Sequence, residues 1–183
     1  VRQIMVKDVD LDGYIDILAG SYTEDKFIWF QNLGGFGIFS GELPIVNYNG
    51  FSNFDIADMD TDGDMDFVIS SYNNSSEKEI IWYENENNNF SNPRLLHSNR
   101  SLYFSITDLN NDNLPDVVTP LPSGFLSITN TGDAESFSKR TIELPFIDYC
   151  DLVVGDVNND GLNDVVTASS LITFYQTISI EPY

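Results

Sequence analysis

The nine residues 58–66 have the sequence DMDTDGDMD, in which aspartates alternate with other residues around a single glycine. The same pattern occurs three more times, as DVDLDGYID at 8–16, DLNNDNLPD at 108–116 and DVNNDGLND at 156–164. The first residues of successive copies are separated by 50, 50 and 48 positions. Self-similarity at a fixed period of this length indicates a repeat architecture, in which each copy is one supersecondary unit.

Each copy of the pattern lies between short runs of β-branched and aromatic residues, which are bounded by Gly, Asn, Asp and Pro. Such runs predict strands, and no segment shows the sustained helical periodicity that would predict a helix. Four short antiparallel strands in a unit of ~50 residues are typical of a β-propeller blade. The predicted strands are 4–6, 54–57, 103–106 and 151–154 (first), 15–18, 67–69, 117–119 and 165–167 (second), 27–32, 80–85, 125–130 and 172–176 (third), and 43–46, 94–97 and 140–144 (fourth).

We therefore predict an all-β fold of about four four-stranded antiparallel propeller blades, the last of them incomplete. A β-solenoid has shorter repeats and a two-sheet sandwich needs no near-identical copies, so a generic all-β domain with acidic turns is the simplest alternative. The chain is predicted to be a single propeller segment, 1–183. Its repeats lie at approximately 1–50, 51–100, 101–148 and 149–183. These blades would be part of a larger ring, half of a dimeric ring or an open arc.

The acidic loops carry the ligand pattern of a calcium site, because Ca²⁺ takes six to eight oxygen ligands, mainly carboxylates and carbonyls. In D-x-D-x-D-G-x-x-D, the side chains at positions 1, 3 and 5 curl around one point and the glycine at position 6 allows a tight bend. The carbonyl of position 7 turns inward, and the Asp at position 9 closes the cage. We predict up to four calcium ions. The predicted ligands are Asp8, Asp10, Asp12, Tyr14 (carbonyl) and Asp16; Asp58, Asp60, Asp62, Asp64 (carbonyl) and Asp66; Asp108, Asn110, Asp112, Leu114 (carbonyl) and Asp116; and Asp156, Asn158, Asp160, Leu162 (carbonyl) and Asp164.

An EF-hand begins with the same spacing, but it needs a bidentate Glu at position 12 and a helix on each side. Position 12 is Ala19, Ile69, Thr119 or Thr167, and both flanks are predicted strands, so an EF-hand is excluded. Asp and Asn also favour turns without any ion. That preference does not account for four loops of the same spacing.

The four loops differ in their ligands. The first two supply four side-chain carboxylates each, whereas the last two supply three each, with Asn at position 3. The third loop also has Asn113 in place of the glycine, and Pro115 stiffens it. We therefore expect the third site to be the weakest.

These residues resemble the FG-GAP/VCBS repeat family, the calcium-binding propeller repeats that are also found in integrin α-subunit heads. The segments 62–68 (DGDMDFV) and 81–85 (IWYEN) are very similar to the repeats of secreted bacterial proteins, and the resemblance covers essentially the whole chain. It implies a propeller whose calcium ions are bound between the first and second strands of each blade. Family propellers usually have more blades than the four first strands found here.

The composition argues against several partners. The 183 residues include 29 acidic and 8 basic side chains, for a formal net charge of −21, so the chain would repel nucleic acids and anionic membranes. No apolar run approaches the ~20 residues that span a bilayer. The sequence starts at Val1 without a basic-then-apolar leader, so we expect any secretion signal to be absent or removed. We expect no nucleic-acid partner and no membrane insertion.

Little in the sequence points to catalysis. The single histidine, His97, has no nucleophile motif near it, and the basic residues do not cluster. Trp29 and Trp82 occupy equivalent repeat positions and are expected to pack between blades, although a sugar-stacking platform is the alternative. We expect a secreted or cell-surface calcium-binding scaffold for adhesion or binding, without enzyme activity, whose partner is an unknown protein or glycan. The alternatives are a lectin-like propeller, an accessory domain of a secreted polysaccharide-degrading enzyme, and a module that self-associates or needs further blades.

Overall fold

The computed structural model describes residues 3–21, 23–47, 50, 52–72, 77–98, 103–132, 136–143 and 151–168. These residues form an all-β structure with fourteen strands. The strands are β1 (Gln3–Lys7), β2 (Asp16–Ser21), β3 (Lys26–Phe30), β4 (Leu43–Asn47), β5 (Asn53–Ala57), β6 (Asp66–Tyr72), β7 (Lys78–Asn85), β8 (Phe90–Ser98), β9 (Ser105–Thr107), β10 (Asp116–Leu121), β11 (Gly124–Asn130), β12 (Phe137–Glu143), β13 (Asp151–Gly155) and β14 (Asp164–Ala168).

The strands pair in chain order into separate antiparallel sheets. Three sheets have four strands each, β1–β4, β5–β8 and β9–β12, and β13 pairs with β14. This confirms the predicted all-β fold with propeller blades and places all four first-to-second hairpins where the sequence predicts them. The predicted third strand of the last repeat, 172–176, lies outside the described residues, and β3 ends at Phe30, two residues earlier than predicted. Within the described residues, no helix is long and apolar enough to cross a membrane.

The strand register places each acidic loop at the same point of its blade. In every repeat the ninth loop residue is the first residue of the second strand, and it pairs with the residue that precedes the loop. The four pairs are Lys7 with Asp16, Ala57 with Asp66, Thr107 with Asp116, and Gly155 with Asp164. The loop is therefore the hairpin connection itself, closed on both sides by the ladder.

The chain divides into two compact units. The first unit, Val1–Asp58 with Asp62–Leu102, has an aromatic core in which Phe27 packs edge-on against Phe54 and Phe67, with ring centroids 5.6 and 5.0 Å apart. Edge-to-face pairs at this distance are favourable beyond the apolar area that they bury. The buried members of this core are Val9, Leu18, Phe27, Trp29, Val46, Phe54, Ile56, Phe67, Ile69, Ile81 and Tyr83.

The second unit, Met59–Thr61 with Tyr103–Tyr183, has its own smaller core. Its members come from the third and fourth repeats and are mainly aliphatic. They are Leu109, Val118, Phe125, Ile142, Leu152 and Val165, with Val154 packed against them.

Candidate metal centre

The backbone of the acidic loops turns twice through the left-handed region. Position 6 has positive φ in every loop, at Gly13 (92°), Gly63 (101°) and Gly161 (88°), and at Asn113 (67°). This is the tight bend that the sequence predicts, and Asn tolerates it better than other residues with a Cβ. Position 4 also has positive φ in every loop, which the sequence analysis did not identify. These residues are Leu11, Thr61, Asn111 and Asn159, with φ between 57° and 62°.

Side-chain carboxylates hold this double turn together in the first loop. The two oxygens of Asp8 accept the N–H groups of Asp12 (3.1 Å) and Gly13 (2.9 Å). Asp12 in turn accepts the N–H of Tyr14 at 2.8 Å. Asp10 accepts the Asp12 N–H at 3.4 Å and the Gln31 amide at 2.5 Å. In the other three loops the first residue likewise accepts the N–H of position 6 and the fifth residue accepts the N–H of position 7, so these aspartates shape the backbone in addition to any ligand role.

The ninth loop residue is buried in all four repeats, namely Asp16, Asp66, Asp116 and Asp164. Asp16 shows the typical contacts. Its Oδ2 accepts the Val9 N–H at 3.0 Å, and its Oδ1 accepts the Asn32 N–H at 2.7 Å. Asp116 repeats both contacts, from Leu109 and Asn130, and Asp66 accepts the Asn85 N–H. Asp16 and Asp116 therefore link the start of their loop to the end of the third strand, and Asp164 accepts the Val157 N–H of its own loop.

One asparagine in each of the first three repeats holds the loop in place. It is Asn32, just after the third strand, in the first repeat, and the last residue of that strand, Asn85 and Asn130, in the next two. Asn32 donates its side-chain amide to the Ile15 carbonyl at 3.1 Å, and its Oδ1 accepts the Gly35 N–H at 2.8 Å. Asn85 makes the corresponding contacts to Met65 (3.0 Å) and Asn88 (2.8 Å). These asparagines are not among the residues predicted from the sequence. The recurrence of Asn at the end of the third-strand pattern is the signal that identifies them.

The first loop brings three carboxylates to one point. Asp8, Asp10 and Asp16 each offer an oxygen, and these oxygens lie within 4.8 Å of one another. Asp58, Asp60 and Asp66 form the same group in the second loop. The Asp12 carboxylate is outside the first group and faces the Tyr14 N–H instead.

The third and fourth loops have Asn at position 3, and no such trio of acidic side chains occurs there within the residues that the structure describes. The amide of Asn110 donates to Asp112 at 2.9 Å, and that of Asn158 donates to Asp160 at 3.0 Å. These two loops also contact each other. The Asn111 amide donates to the Gly161 carbonyl at 2.8 Å, and the Asn163 amide donates to the Asp108 carbonyl at 2.6 Å.

Burial makes the ionised form of Asp16 and Asp116 costly. The pKa of Asp116 is raised to about 6, mainly by desolvation and in smaller part by the nearby Asp112 and Asp108, while two backbone N–H groups oppose the shift. Desolvation likewise raises the pKa of Asp16. Two buried carboxylate oxygens, Oδ1 of Asp58 and Oδ1 of Asp164, have no hydrogen-bond partner among the described residues. A bound cation would stabilise the ionised form of these carboxylates and could supply a partner for the two oxygens.

The donor set fits a hard cation. The side chains that converge are carboxylates, and neither His nor Cys takes part. All-oxygen donors suit Ca²⁺ and Mg²⁺ rather than zinc or copper, which favour nitrogen and sulfur.

Comparison with known proteins supplies a family. The profile of the FG-GAP-like repeat family matches residues 8–69 and 58–119, so each match begins at one acidic loop, includes the next loop and ends in the second strand of that next repeat. This chain belongs to the FG-GAP-like repeat family. A search of curated protein sequences found no match.

Two solved structures share the fold of this FG-GAP-like chain. One is a lectin from Agrocybe aegerita described as recognising non-reducing terminal N-acetylglucosamine, with a TM-score of 0.63 and 17% identity over 89% of this chain. The other is the Photorhabdus luminescens Tc holotoxin pore, with a TM-score of 0.58 and 16% identity over 90% of this chain. The chain spans 45% of the lectin chain and 8% of the toxin chain. At these identities the likeness shows the fold alone.

The two tryptophans and the single histidine lie away from the acidic loops in the sequence. Trp29 and Trp82 are both buried, and Trp29 belongs to the core of the first unit, as the packing interpretation predicts. They are therefore unavailable as a sugar-stacking platform. His97 lies in β8, paired with Ile80 of β7.

Proposed function

We propose that this FG-GAP-like chain is a calcium-binding β-propeller scaffold that acts outside the cell as a non-enzymatic binding or adhesion module. The observation that carries the proposal is the convergence of Asp8, Asp10 and Asp16 within 4.8 Å. Three like charges at this spacing repel one another strongly unless protons or a cation neutralise them. The other predicted ligands, including the carbonyl of Tyr14, would complete the coordination.

Calcium is the cation that the repeat supports best. Mg²⁺ demands near-ideal octahedral geometry and keeps several waters, whereas Ca²⁺ accepts more ligands in flexible loops. The predicted ligands include fourteen side-chain carboxylates, about half of the 29 acidic residues, so four bound Ca²⁺ ions would change the formal charge from −21 to −13. Extracellular modules bind calcium with Kd of ~10⁻⁴–10⁻³ M. If the protein is secreted or lies on the cell surface, such sites would be largely occupied by the calcium present there.

A site-resolved NMR titration tests the calcium proposal. The backbone amide at position 6 donates to the first aspartate of its loop, as Gly13 does to Asp8 (2.9 Å) and Gly161 to Asp156 (2.9 Å), so its ¹H–¹⁵N resonance reports on that loop. Adding CaCl₂ to EDTA-stripped protein should shift these amides saturably, with the Asn113 amide of the third loop responding last. Saturation of the third loop before the other three would contradict the predicted order, and no saturable shift in any loop would overturn the proposal.

Asp10→Asn is the matched variant for this titration, and Glu42→Gln is its control. Asp10→Asn removes one converging carboxylate and should weaken calcium binding at the first loop by at least about tenfold, while the Gly161 amide keeps its response. Glu42 is exposed between β3 and β4, outside every acidic loop, so Glu42→Gln changes the charge equally and should leave all four responses in place. Equal weakening by both variants would point to general charge screening instead of a site.

The absence of catalysis is part of the proposal. The carboxylates that could serve as acid and base are already engaged in the loops, where they hold backbone N–H groups. The test is to incubate the calcium-loaded chain with acidic polysaccharides and measure released reducing ends and unsaturated products. Turnover that a substitution outside the acidic loops abolishes would contradict the non-enzymatic role and favour the enzyme-related alternative.

A glycan is the second candidate ligand class, and one surface favours it. Phe36, between β3 and β4, is 93% exposed, and Tyr14 of the first acidic loop is also exposed. Gly35 lies directly against the Tyr14 ring, since a Cβ there would come within 2.7 Å of its Cε1. Exposed aromatic faces pack against pyranose rings, and one structural neighbour is described as a lectin for terminal N-acetylglucosamine.

A glycan array with and without calcium tests this ligand class. Binding to N-acetylglucosamine-terminated or other glycans should be lost in Phe36→Ser and kept in Leu33→Ser, which removes another exposed apolar side chain from the same segment. An array without any signal would leave a protein as the proposed partner and remove the glycan candidate.

A further inference from the structure

Two hydrogen bonds join the third and fourth acidic loops, which both lie in the second compact unit. The side-chain amide of Asn111, in the third loop, donates to the Gly161 carbonyl of the fourth loop at 2.8 Å. The side-chain amide of Asn163, in the fourth loop, donates to the Asp108 carbonyl of the third loop at 2.6 Å. Each loop thus supplies one donor and one acceptor. We call this reciprocal pair of hydrogen bonds the loop clamp.

Both donors of the loop clamp lie between predicted calcium ligands of their own loop. Asn111 is position 4 and separates the ligand positions 3 and 5. Asn163 is position 8 and separates the carbonyl ligand of position 7 from the buried Asp164 at position 9. Neither asparagine is itself a predicted ligand. A hydrogen bond that fixes either backbone segment therefore also restricts the ligands on each side of it.

The acceptors of the loop clamp belong to residues that close the turn of each loop. The Asp108 carboxylate accepts the N–H groups of Asp112 (3.1 Å) and Asn113 (2.8 Å). The Gly161 N–H donates to Oδ2 of Asp156 at 2.9 Å. The loop clamp thus connects a turn-closing residue of one loop to a ligand-bearing segment of the other. Ordering one loop therefore reduces the conformational freedom that the other loop has left to lose.

The first two loops do not have the side chains for a loop clamp. Leu11 occupies the position of Asn111 in the first loop, and Met65 occupies the position of Asn163 in the second. Neither side chain has an N–H group to donate. The loop clamp therefore joins the two loops whose predicted sites have three carboxylates each, whereas the first two loops, with four each, are without it.

We propose that Asn111 and Asn163 are positioning residues that make calcium binding at the third and fourth loops cooperative. This inference rests on the proposed calcium binding and adds how two of the sites are regulated. Calcium in the fourth loop orders the backbone around Asn163 and Gly161, and the loop clamp extends that order to the third loop. The third site, which has the weakest predicted ligand set, thereby gains affinity once the fourth is occupied. By linkage, calcium in the third loop favours binding in the fourth by the same factor.

Charge alone predicts the opposite effect. In the fourth loop, three carboxylates and one Ca²⁺ leave one negative charge, whereas Asp160→Asn without the ion leaves two. The empty variant loop therefore attracts a cation to the third loop more than the loaded loop does. Weaker binding at the third loop in Asp160→Asn would consequently indicate the loop clamp and not the change in charge.

A site-resolved NMR titration with CaCl₂ in ~0.15 M NaCl measures this coupling, since salt at that level screens exposed charges. Asp160→Asn should move the calcium midpoint of the Asn113 amide, which reports on the third loop, at least about fivefold higher. Asp62→Asn is the matched substitution at position 5 of the second loop. It should leave the midpoint of the Gly13 amide in place, because no loop clamp joins the first two loops.

Removal of the loop clamp gives the second arm of the experiment. Asn111→Gly retains the positive φ of 61° at this position, and Asn163→Met introduces the residue that the second loop has there. In this double variant, the addition of Asp160→Asn should no longer raise the Asn113 midpoint. Asn159→Gly is the matched control, because it makes the same change at position 4 of the fourth loop, where φ is 60°. Asn159 is outside the loop clamp, so this variant should keep the coupling.

The outcomes distinguish this inference from the proposed function. Saturable shifts with an unmoved Asn113 midpoint in Asp160→Asn would overturn the cooperativity and leave calcium binding in place. Coupling that persists undiminished in the double variant, or that appears equally between the first two loops, would overturn the role of the two amides. No saturable shift in any loop would overturn both. The amides of Val118 and Val165, which are buried in the core of the second unit, show whether each variant is folded.

Discussion

At the scale of single residues, the ninth loop position concentrates the chemistry of each repeat. Asp16 and Asp116 are buried, accept two backbone N–H groups each and face further carboxylates of their own loop. The hydrogen bonds favour the ionised form, but desolvation outweighs them and the pKa rises. The residue that connects the loop to the third strand is therefore unfavourable in its ionised form when no cation is bound.

The Asp116 carboxyl should titrate with a midpoint near 6 in EDTA. Its pKa in the folded protein lies above the ordinary value of 3.8, so the folded state holds this proton more tightly than the unfolded state. The resulting stabilisation is full below about pH 4 and is lost as the pH rises through 6. The ¹³C shift of the Asp116 carboxyl measures the midpoint directly, and saturating calcium should lower it. A midpoint below 4 without calcium would contradict the role of burial.

Position 4 of the loop is a second residue-scale feature, because its left-handed backbone disfavours most side chains. Leu11 has φ of 57° and Thr61 has φ of 62°, whereas the third and fourth loops place Asn there. Leu11→Asn should raise the free energy of unfolding by about 0.5–1 kcal/mol, since Asn enters this region at lower cost.

The control for this substitution is Ile15→Asn, four residues away in the same loop. Ile15 is exposed to a similar degree as Leu11, but its φ is not positive. Urea unfolding in EDTA should show a gain for Leu11→Asn only. Equal effects of the two substitutions would show that removal of an exposed apolar side chain, and not backbone conformation, accounts for the change.

At the scale of elements, each of the first three blades depends on a link between its first hairpin loop and the end of its third strand. Asn32 and Asn85 make this link with the backbone N–H and both side-chain groups. Asn130 repeats the N–H contact to Asp116 and the side-chain acceptor contact to Gly132, but donates its amide to the Met59 carbonyl at 2.6 Å. The loop is thereby held in place by the sheet as well as by its own turns.

Asn32→Ala should lower the free energy of unfolding by about 1–3 kcal/mol, because it leaves the Ile15 carbonyl and the Gly35 N–H without their partner. The Asn32 N–H bond to Asp16 survives, so the variant isolates the side chain. Thr131→Ala is the control, since it removes a side-chain to backbone bond of 2.8 Å at an exposed site and should change stability by less than about 0.5 kcal/mol. Chemical unfolding that ranks the two variants equally would contradict the link.

At the scale of the whole molecule, calcium and charge are coupled. At 10 mM calcium and a Kd of ~10⁻⁴ M, one site adds about 2.7 kcal/mol to stability. For a chain of this size, that corresponds to an increase in Tm of about 5–10 °C. EDTA should remove this increase, whereas NaCl at matched ionic strength should not replace calcium. A melting curve that responds equally to NaCl and CaCl₂ would show screening of the −21 charge rather than binding.

The sequence anticipated the parts of this protein that depend on spacing along the chain. Four copies of one nine-residue pattern predicted the hairpin loops, because an Asx side chain reaches only the few backbone groups that follow it. Short apolar and β-branched runs predicted all four strands of the first three blades and the first two of the fourth. Both kinds of signal depend only on residues close together in the sequence, so they can be recognised without the tertiary structure.

The parts that depend on distant neighbours needed the tertiary structure. The left-handed φ of Leu11 and Thr61 follows from closing the loop onto the ladder, although neither residue favours that conformation. Asn32 gained its role because β3 returns the chain to Asp16. Ile4 and Phe54 have the same repeat position and similar chemistry, yet one is exposed and the other buried. The sequence alone determines which residues can form a blade-to-blade contact, and only the fold decides which of them are covered, because burial is a property of what packs alongside.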